Sequence, residues 1–221
     1  MPIAIDHLLF AGEDLNVLVN VVFMEAGVRA IPGGNHSGQG THNALIGLGP
    51  GRYLELMAQD PEGDDGGTGA YRKSIAYLRE PALHTWCART DDIDVLARRA
   101  SEAGLSVVTS EGGRVLPDGT PLRWTLAALE GHPFEGLVPF FIGWRESAHP
   151  SRTLAADLRL TRLSLAHPRA DELAGLLQDL GGPVPDVETT TAPQPRIQAH
   201  FVGAKGPFVL EGEGRAMRFA R

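Results

Sequence analysis

The feature that most constrains this chain is that it repeats itself. The strand-like IDHLLFA at 5–11 leads through GED into an apolar-periodic run ending in EAGV, and ALHTWCA at 82–88 leads through RTDD into a run ending in EAGL. His7 and His84 are 77 residues apart, as are Glu25 and Glu102. A constant offset of this kind marks one structural unit used twice. A fainter third copy starts at LTRLSLA (160–166) and continues through HPRADELAGLLQDLGG. In each copy a strand runs through a capping aspartate, with Asp14, Asp91 or Asp92, and Asp171 as the candidates, into an amphipathic helix closed by glycine. Alternating segments separated by Gly/Pro turns follow: VRAIPGG, THNALIGLG and RYLELMA; LSVVTS, GRVL with PLRWTLAAL across a PDG turn, and LVPFFIGW; DVETTTA, RIQAHFVG and GPFVLEG. The expected fold is α+β, built of βαβββ modules, two paired into a half-barrel and a third appended. The expected modules span 1–60, 82–146 and 158–213, with an acidic Gly-rich loop and a linking helix at 61–81.

A βαβββ unit covers one sheet face with its helix and leaves the other bare, so chemistry is expected on the bare face. RYLELMA carries a glutamate in an apolar strand, and strict alternation groups Tyr53, Glu55 and Met57 there. The same rule groups Ile5, His7 and Leu9, and His84, Trp86 and Ala88. His7, His84 and Glu55 form a two-histidine, one-carboxylate set suited to Fe(II), Mn(II), Zn(II) or Ni(II) with open positions for a ligand. The alternative is two satisfied histidines and a glutamate that faces water.

IDHLLFAGEDL, the Gly-rich PGGNHSGQGTHNAL, GRYLELMAQDP, HTWCA and PFFIGW together resemble the glyoxalase-like branch of the vicinal oxygen chelate superfamily over residues 3–146, with 158–212 a weaker extra unit. The resemblance implies paired βαβββ modules curled around a divalent metal, ligands on the first and last strands of each module, and lyase, isomerase or dioxygenase chemistry; some members only bind a small ligand. It places His7, Glu55 and His84 at three ligand positions and Gly143 at the fourth, where no side chain can bind. The family pattern also favours His42 and Asn43 of THNAL as substrate-binding over a turn whose side chains satisfy local backbone groups. Trp124, Phe140 and Trp144 read either as the lining of an apolar pocket or as core aromatics, and the candidate base is Glu55, if it leaves the metal, or His42. A metal-free binding or sequestering protein using the same cleft is the competing reading.

Other signals are bland. His36, in NHSG, reads as a solvated loop residue. Ser37 lacks the G-x-S-x-G setting of a nucleophile, GLGPGR is followed by a strand where a dinucleotide loop needs a helix, and DPEGDD lacks calcium-loop spacing. Cys87 reads as a buried thiol. The third copy replaces His7 by Arg162 and Glu55 by Glu211, which predicts an ion pair there and a module that covers a sheet edge or mediates self-association. With 43% hydrophobic and 21% charged residues, net charge −7 and pI near 5.6, the chain is of the soluble globular kind and carries no basic block for nucleic acid or anionic membrane. One cysteine excludes an intrachain disulfide, and no apolar run approaches the roughly 18 residues of a membrane span. The expected partner is a small molecule, the expected location cytoplasmic, and homo-oligomer formation stays open.

Overall fold

The computed structural model describes residues 3–36, 38–63, 69–115, 121–217 and 219, with the side chains of 114 and 115 left out. Ser37, the PDG turn at 117–119 and the centre of the acidic loop lie outside the described residues. Twelve strands and four α-helices are assigned among them. The first module comprises β1 (Ala4–Gly12), α1 (Leu15–Ala26), β2 (Ile31–His36), β3 (Thr41–Gly47) and β4 (Tyr53–Gln59). After α2 (Ala70–Ile75) come β5 (Ala82–Arg89), α3 (Ile93–Glu102), β6 (Ser106–Val115), β7 (Pro121–Glu130) and β8 (Phe140–Gly143). The last module is β9 (Arg159–His167), α4 (Ala170–Gly181), β10 (Val187–Thr191), β11 (Arg196–Gly203) and β12 (Gly206–Gly212).

Helix boundaries follow from local chemistry. Asp14 caps α1 by accepting from the Asn16 N–H, and Asp92 caps α3 by accepting from the Val95 N–H. Gly27 ends α1 with φ 71°, the left-handed conformation glycine adopts without a Cβ penalty. Helix α4 differs: its N-cap is Arg169 with no side-chain hydrogen bond, and Asp171 sits inside the first turn. Leu18, Val22 and Ala26 bury one stripe of α1 against the sheet.

The first two modules share one eight-stranded sheet ordered β2-β3-β4-β1-β5-β8-β7-β6, curled into a half-barrel. In module one the first strand pairs parallel with the last. The third module repeats the element order but not the pairing. Its sheet runs β10-β9-β11-β12, so the first strand pairs parallel with the second and antiparallel with the third. Consequently Arg162 and Glu211 do not meet, contrary to the expectation from the repeat. Arg162 lies 3.7 Å from Glu188, and Glu211 pairs with Arg196 at 3.6 Å. One face of this four-stranded sheet packs on the half-barrel's helices in a continuous core that joins Leu163, Ile197 and Phe201 to Leu8, Leu18 and Trp86. The opposite, concave face of the half-barrel holds a second cluster with Leu9, Met57, Cys87, Leu126 and Ile142. No helix among the described residues is long and apolar enough to cross a membrane.

Candidate functional site

Two β-bulges decide which side chains reach the concave face. In the β1–β5 pairing Ile5 stands opposite Ala88 and His7 opposite Cys87, which leaves Asp6 as the extra residue; farther along, Leu9 faces Thr85 and Phe10 faces Leu83, which leaves His84 as the extra residue of β5. The bulge in β1 turns Ile5 to the helix side with Leu8 and Phe10, and His7 to the cavity with Leu9. In β5 the bulge falls on the histidine itself.

The cavity is built strand by strand. From β1 come His7 and Leu9, from the end of β2 His36, from β3 Asn43 and Leu45, and from β4 Tyr53, Glu55 and Met57. The second module contributes Trp124 and Leu126 of β7, Phe140 and Ile142 of β8, and Trp144 beyond it. Tyr71 of α2 closes one side; Met217 and Phe219, after β12, close another.

At its polar end stands Glu55, buried, with the Asn43 amide donating to Oε1 at 2.6 Å. Two imidazoles flank the carboxylate: His7 Nε2 is 3.5 Å from Oε2 and His36 Nε2 is 3.5 Å from Oε1. The Asn43 amide also reaches His36 Nε2 at 3.2 Å, and His36 Nδ1 contacts the Thr41 hydroxyl at 2.9 Å. Both distances fit an imidazole protonated at Nδ1 that turns its Nε2 lone pair inward. The Asn43 Oδ1 atom is buried without a hydrogen-bond partner among the described residues.

Behind His7 lies Asp6, fully buried. Its carboxylate accepts from His7 Nδ1 at 2.8 Å, Trp144 Nε1 at 2.9 Å and His149 Nε2 at 3.1 Å. The Ser151 N–H donates to His149 Nδ1 at 3.1 Å, which leaves the His149 proton on Nε2 for Asp6. Burial alone would raise the Asp6 pKa, but hydrogen bonds from His149 and His7 outweigh it and hold it at about 2. An ionised Asp6 fixes the His7 proton on Nδ1 and points the Nε2 lone pair at Glu55, the carboxylate–histidine arrangement that orients metal-binding imidazoles. Tyr53 stacks on the His7 ring with centroids 4.7 Å apart.

The expected residues divide accordingly. His7, Glu55, Asn43, Trp124 and Phe140 share the cavity. His84 does not: it is buried away from it, with Nδ1 3.1 Å from the Tyr77 hydroxyl and Nε2 unpartnered among the described residues. Burial and the nearby Arg215 charge lower its pKa to about 4. His42 alternates with Asn43 and shares the helix-side face with Ala44 and Ile46. Gly143 also turns away, since a Cβ there would face Thr90 O and Ile93 at 3.5 and 3.7 Å, and the cavity-facing residues of β8 are Phe140 and Ile142. His36, taken as a loop residue, ends β2 and enters the cavity. Asp6 stands in the apolar run IDHLLF as Glu55 stands in RYLELMA, so the same sequence signal marks it, whereas nothing local marks His149.

The donor types suit a divalent cation: one imidazole Nε2 stands at each oxygen of the Glu55 carboxylate, with the buried Asn43 amide beside it; the three donor atoms do not all lie within 4.8 Å of one another, so closing on one ion takes a side-chain shift. A deeper set, Asp6, His7 and Cys87, offers atoms within 4.8 Å of one another. Its chemistry fits less well, because Asp6 already serves three donors and burial pushes the Cys87 thiol well up towards its protonated form.

A family model described as a glyoxalase-like domain matches residues 5–181. Among solved structures, a hypothetical protein from Staphylococcus aureus aligns over 97% of this chain and 88% of its own, with 16% identity and a TM-score of 0.64. A Streptomyces coelicolor methylmalonyl-CoA epimerase in complex with 2-nitronate-propionyl-CoA aligns over 66% of this chain and 97% of its own, at 24% identity and TM-score 0.45. The Mycobacterium tuberculosis methylmalonyl-CoA epimerase aligns over 62% and 84%, at 22% identity and TM-score 0.38. The first of these shares the fold; the overlap of the two epimerases is too loose to inform the chemistry of this chain. No curated protein matches it.

Proposed function

The chain belongs to the glyoxalase-like domain family, and on that premise we propose that it is a small-molecule enzyme that holds a divalent metal between His7, Glu55 and His36 and acts on substrates with two neighbouring oxygens. The observation that carries this reading is the convergence of His7 Nε2 and His36 Nε2 on the two oxygens of Glu55, each at 3.5 Å, in a cavity otherwise walled by apolar and aromatic side chains. Fe(II), Mn(II), Zn(II) and Ni(II) all accept this nitrogen and oxygen donor set. A cation there supplies Lewis-acid stabilisation to negative charge developing on the substrate oxygens.

The chain's own residues do the rest. Asp6 keeps the His7 proton on Nδ1, so that Nε2 remains a donor of electrons. Asn43 holds Oε1 of Glu55 in place, and Oε2, when it is not bound to the cation, would be the base that takes a proton from a carbon next to a substrate carbonyl, the step that isomerase and lyase chemistry share. The walls of Tyr53, Trp124, Phe140 and Trp144 exclude water, which strengthens every charge interaction inside. In this reading Glu55 is the base, and His42, on the other face, has no part.

The test is metal analysis of protein purified without chelator or histidine tag, followed by calorimetric titration of each ion into the stripped protein and into Glu55→Gln. One ion per chain in the native protein, with binding lost in the variant, is the expected result. A folded native protein that takes up no ion would instead make the cavity a metal-free site for binding or sequestering a small ligand.

A further inference from the structure

The segment that follows the appended module enters the cavity. It is fastened where it leaves β12: the Gly136 N–H donates to Gly214 O at 3.0 Å and the Arg215 N–H to His84 O at 2.9 Å. The two backbones touch so closely that a Cβ on Gly136 would come within 2.2 Å of Arg215 O. The Arg215 guanidinium pairs with Glu213 and lies over the Tyr77 ring.

Beyond Arg215 the anchoring changes character. None of Ala216, Met217 and Phe219 makes a hydrogen bond among the described residues, and the contact is apolar. Met217 is 8% exposed within the cavity-side cluster, and the Phe219 ring lies 5.8 Å from Phe140 and 6.2 Å from Tyr71. With both side chains seated, about 50 Å³ remains for the centres of water molecules, room for only a few waters. Met217 and Phe219 thus take up space that an apolar group of a ligand would otherwise fill.

We propose that the segment after β12 carries a displaceable plug: Met217 and Phe219 occupy the subsite for an apolar part of the substrate, and substrate binding expels them. This rests on the reading of the cavity as the substrate site. A thioether and a phenyl ring fill the space between Tyr71, Trp124 and Phe140, so the ligand that replaces them carries an alkyl or aryl group of similar bulk next to its oxygens. Among the described residues the segment is held by close backbone contacts up to Arg215 and by apolar side-chain contacts beyond it, so Met217 and Phe219 leave the cavity without breaking a sheet hydrogen bond. A plugged cavity also weakens apparent affinity by the fraction of time that it stands open.

The test uses the fluorescent probe 8-anilinonaphthalene-1-sulfonate. A chain ending at Arg215 and a full-length Met217→Ala/Phe219→Ala variant are compared with the native protein, each with its thermal midpoint and its divalent-metal affinity. Both variants are expected to bind the probe at least about tenfold more tightly, with metal affinity unchanged, and adding Leu126→Trp, which fills the cavity, is expected to abolish the gain. Probe affinity within about twofold of native in the folded variants, or a gain that survives Leu126→Trp, overturns the proposal. If the shortened chain fails to fold, the double substitution decides alone. A gain without metal binding in any form would uphold the plug while the metal reading fails.

Discussion

Replacing Asp6 by asparagine removes a carboxylate that is fully buried and holds His7, His149 and Trp144 together. Folding lowers its pKa from 3.8 to about 2, and at about 1.4 kcal/mol per pH unit that difference is on the order of 2–3 kcal/mol. Because the folded protein binds this proton less readily than the unfolded chain, the contribution is intact above about pH 4 and is lost as pH falls towards 2. Asparagine also presents an NH₂ group to donors on one side, and breaking a buried charged network costs about 3–5 kcal/mol. Urea unfolding of native and Asp6→Asn protein at several pH values reads both effects. The account predicts a difference of about 3–5 kcal/mol at pH 7, shrinking by about 2 kcal/mol by pH 2 and further below it. It also predicts a metal affinity about 10–100-fold lower, since His7 is no longer held with its proton on Nδ1. A difference under about 1 kcal/mol that does not vary with pH would refute the role given to Asp6.

Other substitutions separate the site from its surroundings. His84→Leu should flatten the pH dependence of stability, because folding lowers the His84 pKa from 6.5 to about 4 and so removes about 3 kcal/mol as pH falls through that window; parallel stability curves for native and variant would count against it. His36→Ala should weaken divalent-metal binding by more than about a hundredfold, as expected of a ligand rather than its outer support, whereas His42→Ala should leave it unchanged in the same titration. Gly143→Ala should be silent in metal binding, since its Cβ would meet only ordinary contacts on the helix side; a loss of affinity would place β8 in a different register.

The modular plan was readable because repetition, capping aspartates and closing glycines are local signals that survive without knowledge of strand pairing. The β1–β5 bulges are not local. Which residues become the extra ones, here Asp6 in β1 and His84 in β5, depends on how two strands 77 positions apart settle against each other, and a shift of one residue moves every side chain to the other face. That is why His7 reached the cavity and His84, its repeat partner, did not. His36 was hidden by its setting: a histidine followed by Ser-Gly reads as a turn, yet Asn35 pairs with His42 and His36 with Thr41 across β2 and β3. The third module shows the same limit from the other direction, because its element order repeats while its strand order, set by tertiary packing, does not.

The most direct measurement is anomalous diffraction from crystals soaked with Mn(II) or Zn(II), recorded on either side of the metal's absorption edge. The account predicts one strong peak within about 2.0–2.3 Å of His7 Nε2, His36 Nε2 and a Glu55 oxygen. A peak between Asp6, His7 and Cys87, or no peak in the cavity at saturating metal, would contradict it.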